Sequence, residues 1–149
     1  MARPTWDETF MEVARVFARR SACKHYQVGA VFVRGKNLLQ VGYNGPTKGL
    51  NNHCIEIGCA KEINNRMLPA GSKMCRGAHA EMNAIANAAS LGVNLSNSTV
   101  YCAWSPCYDC AKHLVNLGIV EFVYADEYKE EFPQVKELFK EAGIKLRQF

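Results

Sequence analysis

The 149-residue sequence has no apolar run approaching the roughly 18 to 20 residues that a membrane-spanning helix requires. Its first residues, Met1-Ala2-Arg3-Pro4-Thr5-Trp6-Asp7, lack the apolar core of a secretory signal, so no membrane association and a cytoplasmic location are expected. Glycine and proline total only 16 residues, 11 and 5, with no excess of either, which argues against disorder or a fibrous repeat. Internal repeats, linkers and low-complexity tracts are lacking too. One domain over residues 1–149 is the expectation, and a chain of this size buries roughly two-thirds of its unfolded surface. Neither sign of charge is in large excess. A net charge of +4 suits an anionic small molecule as well as nucleic acid and selects neither.

Cysteine is what the sequence has in quantity: seven residues, at 23, 54, 59, 75, 102, 107 and 110. In a reducing compartment, close-set cysteines point to metal ligation before disulfides.

The pattern of elements is that of an α/β protein. Thr5 and Glu8 have capping-box spacing, and Trp6, Phe10, Val13, Ala14 and Phe17 share one helical face. Strands are predicted over 28–33 and 38–43, with a hairpin turn at Arg34-Gly35-Lys36-Asn37. From Asn44 to Cys75 periodicity is weak, with a short helix expected between Glu56 and Met67. Helices over 79–91, 107–117 and 132–142 then alternate with strands over 98–103, 120–125 and 144–149. Gly92, Gly118 and Gly143 stop the three helices, and Pro133 stands in the first turn of the last. Such alternation predicts helices packed on one sheet.

Two of these helices open on the chemistry. His79-Ala80-Glu81 begins one, and Pro106-Cys107-Tyr108-Asp109-Cys110 begins the next. One imidazole and two thiolates are natural tetrahedral zinc ligands, and three protein ligands leave a position for water, the pattern of a catalytic site. Helix N-termini favour thiolates through their positive dipole ends. Glu81 is placed to shuttle protons for a water that zinc has acidified. Without a metal, His79 would be a cap residue and the cysteines small hydrophobes, which leaves the repeated strand-to-helix placement unexplained.

His79-Ala80-Glu81-Met82-Asn83-Ala84-Ile85, Ser105-Pro106-Cys107-Tyr108-Asp109-Cys110-Ala111-Lys112 and Gly42-Tyr43-Asn44-Gly45 together resemble the deoxycytidylate (dCMP) deaminase family of the cytidine deaminase superfamily. Arg20-Ser21-Ala22-Cys23 and Val28-Gly29-Ala30 extend the resemblance, which runs from about Trp6 to Tyr128. It implies a three-layer α/β/α sandwich around a mixed five-stranded sheet, and the hydrolysis of dCMP to dUMP and ammonia, a supply step for thymidylate synthesis. It assigns His79, Cys107 and Cys110 to Zn2+, and Glu81 to proton transfer at cytosine carbon 4 and its neighbouring ring nitrogen. Asn44, Ala80, Ser105 and Tyr128 become candidates for substrate binding, and Gly42 and Asn44 for an effector site. An Asn-Gly turn accounts for Asn44 equally well on local grounds, as an ordinary loop tyrosine does for Tyr128. The resemblance further implies a homohexamer activated by dCTP and inhibited by dTTP with Mg2+. It also suggests a second, structural zinc on Cys23, Cys54, Cys59 and Cys75, or on three of these with His25 or His53. Cys102 reads as a buried strand residue. Lys73, Arg76 and Lys112 are candidate anion contacts, although most such side chains are merely solvated.

Two other readings compete. The Trp104-to-Ala111 stretch is similar to the zinc motif of polynucleotide cytidine deaminases, and tRNA adenosine deaminases share the signature more distantly. Clustered Lys and Arg interleaved with stacking aromatics, expected of a nucleic-acid groove, are lacking. A non-enzymatic, zinc-stabilised competence-type protein is the third reading, and it assigns Glu81 no role.

Overall fold

A computed structural model of the chain describes residues 1–50, 54–69 and 73–149. The chain order is α1 (Trp6–Ala18), β1 (Gly29–Arg34), β2 (Asn37–Tyr43), β3 (Gly45–Pro46), α2 (Cys54–Ile57), β4 (Glu62–Ile63), β5 (Arg66–Met67) and β6 (Gly77–Ala78). It continues with α3 (Ala80–Leu91), β7 (Thr99–Trp104), α4 (Tyr108–Leu117), β8 (Glu121–Asp126), α5 (Phe132–Glu141) and β9 (Lys145–Gln148). Among the described residues, no helix is long and apolar enough to cross a membrane.

The main sheet has five strands in the order β2-β1-β7-β8-β9. The β1 strand pairs antiparallel with both β2 and β7, whereas β7, β8 and β9 run parallel, so the sheet is mixed. Parallel neighbours need a crossover element, and α4 and α5 supply the two crossovers. Phe10, Met11 and Ala14 of α1 cover one face, against Val31, Val33, Tyr101 and Val123. Helices α3, α4 and α5 cover the other, through Ala84, Ala88, Leu114, Val135 and Phe139 against Phe32, Val100 and Phe122. The expected three layers around a mixed five-stranded sheet are the observed ones. Alternate residues of β1 serve opposite faces, since Ala30 and Phe32 meet α3 while Val31 and Val33 meet α1, and all four are buried.

Thr5 caps α1 reciprocally with Glu8, and the expected capping box is present. The β1–β2 turn narrows to Gly35-Lys36, with Gly35 at φ 61°. One expectation fails. The segment from Glu56 to Met67 is not a helix: α2 stops at Ile57, followed by Gly58 at φ 89°, and β4 and β5 form a small hairpin. Asn64 and Asn65 sit at its turn with φ 49° and 60°. Two consecutive left-handed residues make the turn that matches strand twist, and asparagine tolerates that conformation.

Parallel β7 and β8 end together, and β1, running antiparallel to β7, begins at that same end. The N-termini of α3 and α4 meet there, in the place where α/β sheets bind their ligands. Close approach of α3 to β2 depends on Gly42, because a Cβ there would lie 2.2 Å from the Ala80 carbonyl oxygen and 2.5 Å from the Ala84 nitrogen. Short β3 pairs with β6 and so fixes the residues before His79 beside those after β2.

Candidate active site

His79 and Cys107 occupy equivalent positions, each the N-cap of a helix. Their backbones are extended, at φ −73°, ψ 154° and φ −70°, ψ 165°. The His79 side chain makes no capping bond, so its ring is available to turn toward the neighbouring helix. Cys107 does cap, its sulfur accepting the Cys110 amide at 3.4 Å. Cys110 follows one turn later on α4 and is buried. His79 Nδ1 lies 3.3 Å from Cys107 Sγ and 3.4 Å from Cys110 Sγ. A tetrahedral zinc with ordinary Zn–N and Zn–S bonds would separate nitrogen from sulfur by about 3.6 Å. The donor set and its spacing therefore fit zinc. Among the described residues, this is the one His/Cys/Asp/Glu cluster whose ligand atoms gather within 4.8 Å.

The charges within the cluster are mutually arranged. The Cys107 thiol is held down to about 4, first by its hydrogen bond with Cys110 and then by His79. His79 is raised to about 9, chiefly through its hydrogen bond to Cys107. The hydrogen bond with Cys107, reinforced by burial, drives the Cys110 thiol upward. At neutral pH the metal-free triad is thus an imidazolium, a thiolate and a thiol. Glu81, 4% exposed in the first turn of α3, is pushed up to about 7 by burial. A carboxyl that exchanges its proton near neutrality has the property general acid–base chemistry requires.

The other sequence-assigned residues fall into distinct settings. Asn44 is half-buried, and its amide faces the segment before β1: Oδ1 accepts the Val28 amide at 2.9 Å, and Nδ2 donates to the Tyr26 carbonyl at 2.9 Å. Ser105 Oγ accepts the Tyr128 amide at 2.7 Å, joining the end of β7 to the loop after β8. The Tyr128 hydroxyl reaches Glu130 at 3.4 Å, and its pKa is raised to about 12, mainly by burial. Ala80 is buried under Gly42, and close packing of β2 on α3 accounts for both residues. Cys102 is fully buried, and burial raises its thiol well above the ordinary range. Lys112 pairs with Asp109 at 2.8 Å on the exposed face of α4.

Cys23, Cys54, Cys59 and Cys75 lie outside this cluster. Burial raises the Cys54 thiol, and Cys59, Cys23 and Cys75 are near enough for their charges to add to that rise. No three of the four bring their sulfurs within 4.8 Å of one another. His25 is engaged with Glu62 at 2.8 Å, and His53 lies outside the described residues.

Two neighbours carry no motif. Glu131 accepts the Tyr108 amide at the start of α4, and Tyr26 sets its ring against Trp104 and Tyr128. Tyr26 is 78 residues from Trp104 in sequence, and no local pattern announces the contact.

The mixed sheet, paired helix N-termini and His/Cys/Cys cluster define a zinc-type deaminase architecture. Residues 4–126 match the family described as cytidine and deoxycytidylate deaminase zinc-binding region, and the chain belongs to that family. It is 36% identical to ComE operon protein 2 of Bacillus subtilis over 148 residues, covering 99% of this chain and 73% of that protein. It is 38% identical over 149 residues to the deoxycytidylate deaminase of Schizosaccharomyces pombe, covering 99% of this chain but only 45% of the yeast protein. A solved structure of the cyanophage S-TIM5 dCMP deaminase, in complex with dCMP and dUMP, superposes with a TM-score of 0.81 at 26% identity and covers all of both chains.

Proposed function

We propose that this chain is a cytoplasmic, single-domain enzyme over residues 1–149 that hydrolyses dCMP to dUMP and ammonia, supplying thymidylate synthesis. The observation that carries the chemistry is the meeting of His79, Cys107 and Cys110 beside a buried Glu81. The choice of dCMP is supported by the yeast and phage relatives. His79, Cys107 and Cys110 would hold Zn2+, which when bound brings the pKa of a water toward neutrality and makes it a competent nucleophile. Glu81 takes a proton from the attacking water and delivers it to the ring nitrogen next to carbon 4, then takes the proton of the new hydroxyl on carbon 4 and passes it to the departing amine. Protonating the ring in step with attack avoids an unsupported negative charge on it. Asn44 holds the deoxyribose hydroxyl, while Ala80, Ser105 and Tyr128 line the nucleotide.

The same reading extends to regulation and assembly. Gly42 and Asn44 contribute to a site for dCTP as activator and dTTP as inhibitor, each with Mg2+, in a homohexamer. A second zinc would draw together Cys23, Cys54, Cys59 and Cys75, or three of these with His25 or His53; the four cysteines are near enough to act on the Cys54 thiol, but their sulfurs are not gathered at ligand spacing. Two zinc atoms per chain in metal analysis are expected, and one overturns the second site.

Ammonia release from dCMP by zinc-loaded protein, with single-stranded DNA as a competing substrate, tests the activity. Glu81→Gln is expected to retain zinc and lose about 100- to 10,000-fold in rate. A variant with near wild-type turnover, or no release from dCMP by the wild type, refutes the reading. The third reading, a non-enzymatic, zinc-stabilised competence-type protein, requires no acid at position 81. The burial of Glu81 beside the cluster favours the enzyme.

A further inference from the structure

We propose that Tyr26 is a positioning residue for nucleotide binding, its ring fixing the loop whose carbonyl orients Asn44. The proposal rests on the nucleotide-deaminase reading above. Tyr26 sits three residues before β1, in a segment without regular structure between α1 and the sheet. Two groups of contacts define its place.

The first is aromatic. The Tyr26 ring meets Trp104 edge-on at 5.3 Å with an interplanar angle of 85°, and Tyr128 at 6.2 Å and 79°. Both are favourable edge-to-face arrangements. Trp104 ends β7 three residues before Cys107, and Tyr128 follows β8 with its amide on Ser105. The ring is thereby tied to the two strand ends that carry the site. At 45% exposure it still presents much of its surface to solvent at that rim.

The second group is polar. The Tyr26 carbonyl accepts Asn44 Nδ2 at 2.9 Å and Ser21 Oγ at 3.3 Å. Two residues on, the Val28 amide donates to Asn44 Oδ1 at 2.9 Å, and the Val28 carbonyl accepts the Asn44 amide at 3.1 Å. Both ends of the Asn44 side-chain amide are thus oriented by two residues of one loop, Tyr26 and Val28. The backbone of that loop makes no ladder bonds of its own at Tyr26. The ring packed against Trp104 and Tyr128 anchors it from the site side, while the Ser21 hydroxyl on the Tyr26 carbonyl and the Cys23 sulfur, accepting the Tyr26 amide at 3.4 Å, hold it from the α1 side. Without the ring, this part of the loop is held only through Ser21 and Cys23, and the orientation of Asn44 loosens.

Loss of such positioning weakens nucleotide binding more than it slows the chemistry, because Glu81 and the His/Cys/Cys cluster lie on other elements. Two tryptophans occur in the chain, and Trp6 stands on α1 at the opposite face of the sheet. Trp6→Phe therefore leaves Trp104 as a single fluorescent reporter within the aromatic contact. In that background, Tyr26→Ala is expected to raise KM for dCMP and Kd for dUMP, read from Trp104 fluorescence, by about tenfold. The kcat is expected to stay within about threefold, with zinc content and thermal midpoint near those of the parent. Tyr26→Phe, which keeps the ring, is expected to restore parental KM and Kd. In an Asn44→Ala background, Tyr26→Ala is expected to change KM far less, as residues acting through one another are not additive. If Tyr26→Ala is not recovered folded, Tyr26→Leu carries the comparison.

Unchanged KM and Kd in Tyr26→Ala overturn the proposal, as does equal loss in Tyr26→Phe or a full, additive loss on top of Asn44→Ala. Absence of ammonia release from dCMP by the Trp6→Phe parent overturns the substrate reading and this proposal with it. Normal release with an unmoved KM overturns this proposal alone.

Discussion

Loading the metal-free protein with zinc at pH 7 is expected to displace about two protons per catalytic site. The count follows from the protonation pattern of the triad. Cys107, held down to about 4, is already a thiolate and gives up nothing. His79, raised to about 9, carries an extra proton that ligation must remove. Cys110, whose thiol is pushed upward by its hydrogen bond to Cys107 and by burial, gives up the second. Metal affinity then rises with pH, since each displaced proton contributes a factor of ten per unit. Between pH 6 and pH 8 the apparent association constant is expected to climb by about 100-fold per unit. Calorimetric titration of zinc into the metal-free protein, in buffers of different ionisation enthalpy, counts the protons directly. Competition with a chelator at several pH values gives the slope. Because Cys23, Cys54, Cys59 and Cys75 form a separate group, the titration is compared with that of His79→Ala, and the difference belongs to this site. A difference of less than one proton, or an affinity indifferent to pH, refutes the charge arrangement derived for the cluster.

Two further outcomes test how the fold supports the site. Gly42→Ala places a methyl 2.2 Å from the Ala80 carbonyl, so α3 must shift. A loss of about 1–3 kcal/mol is expected from such overpacking, with weakened zinc retention because His79 caps that helix; denaturant unfolding and metal analysis check it. Asp7 accepts from Tyr101 at 2.6 Å and from Arg147 at 2.7 Å, and the Arg147 hydrogen bond holds its carboxyl below the usual range. Its stabilising effect is present above the unfolded value of about 3.9 and lost as pH falls through the lower folded value. Asp7→Asn is expected to be destabilising at pH 7 and to flatten the acid limb of stability against pH, as measured by urea unfolding from pH 2 to 7. An acid limb as steep as in the wild type contradicts the assignment.

Much of this molecule follows from short-range pattern. The capping box and apolar face mark α1, and helical spacing with terminal glycines places α3, α4 and α5 within a residue or so of their expected limits. The H-x-E and P-C-x-x-C motifs define the residues of the cluster, because a helix start and an i, i+3 pair are local properties. The stretch between Asn44 and Cys75 resisted such reading. Its elements are two to four residues long, and two left-handed asparagines rather than a periodic face set its hairpin.

Tertiary structure alone decided what meets across the chain. His79 and Cys107 become partners because parallel β7 and β8 send α4 back beside α3, bringing two helix N-termini to one sheet end. Glu81 acquires its raised pKa only by being buried there, as exposure in the unfolded chain would leave it an ordinary acid. Gly42 is required by a helix 38 residues further on, and Tyr26 meets rings from two other strand ends. The sequence by itself determined which residues form the His/Cys/Cys cluster, since ligand type and helix start are written locally. Distance, burial and protonation state arise only when sheet order folds separate segments into one site.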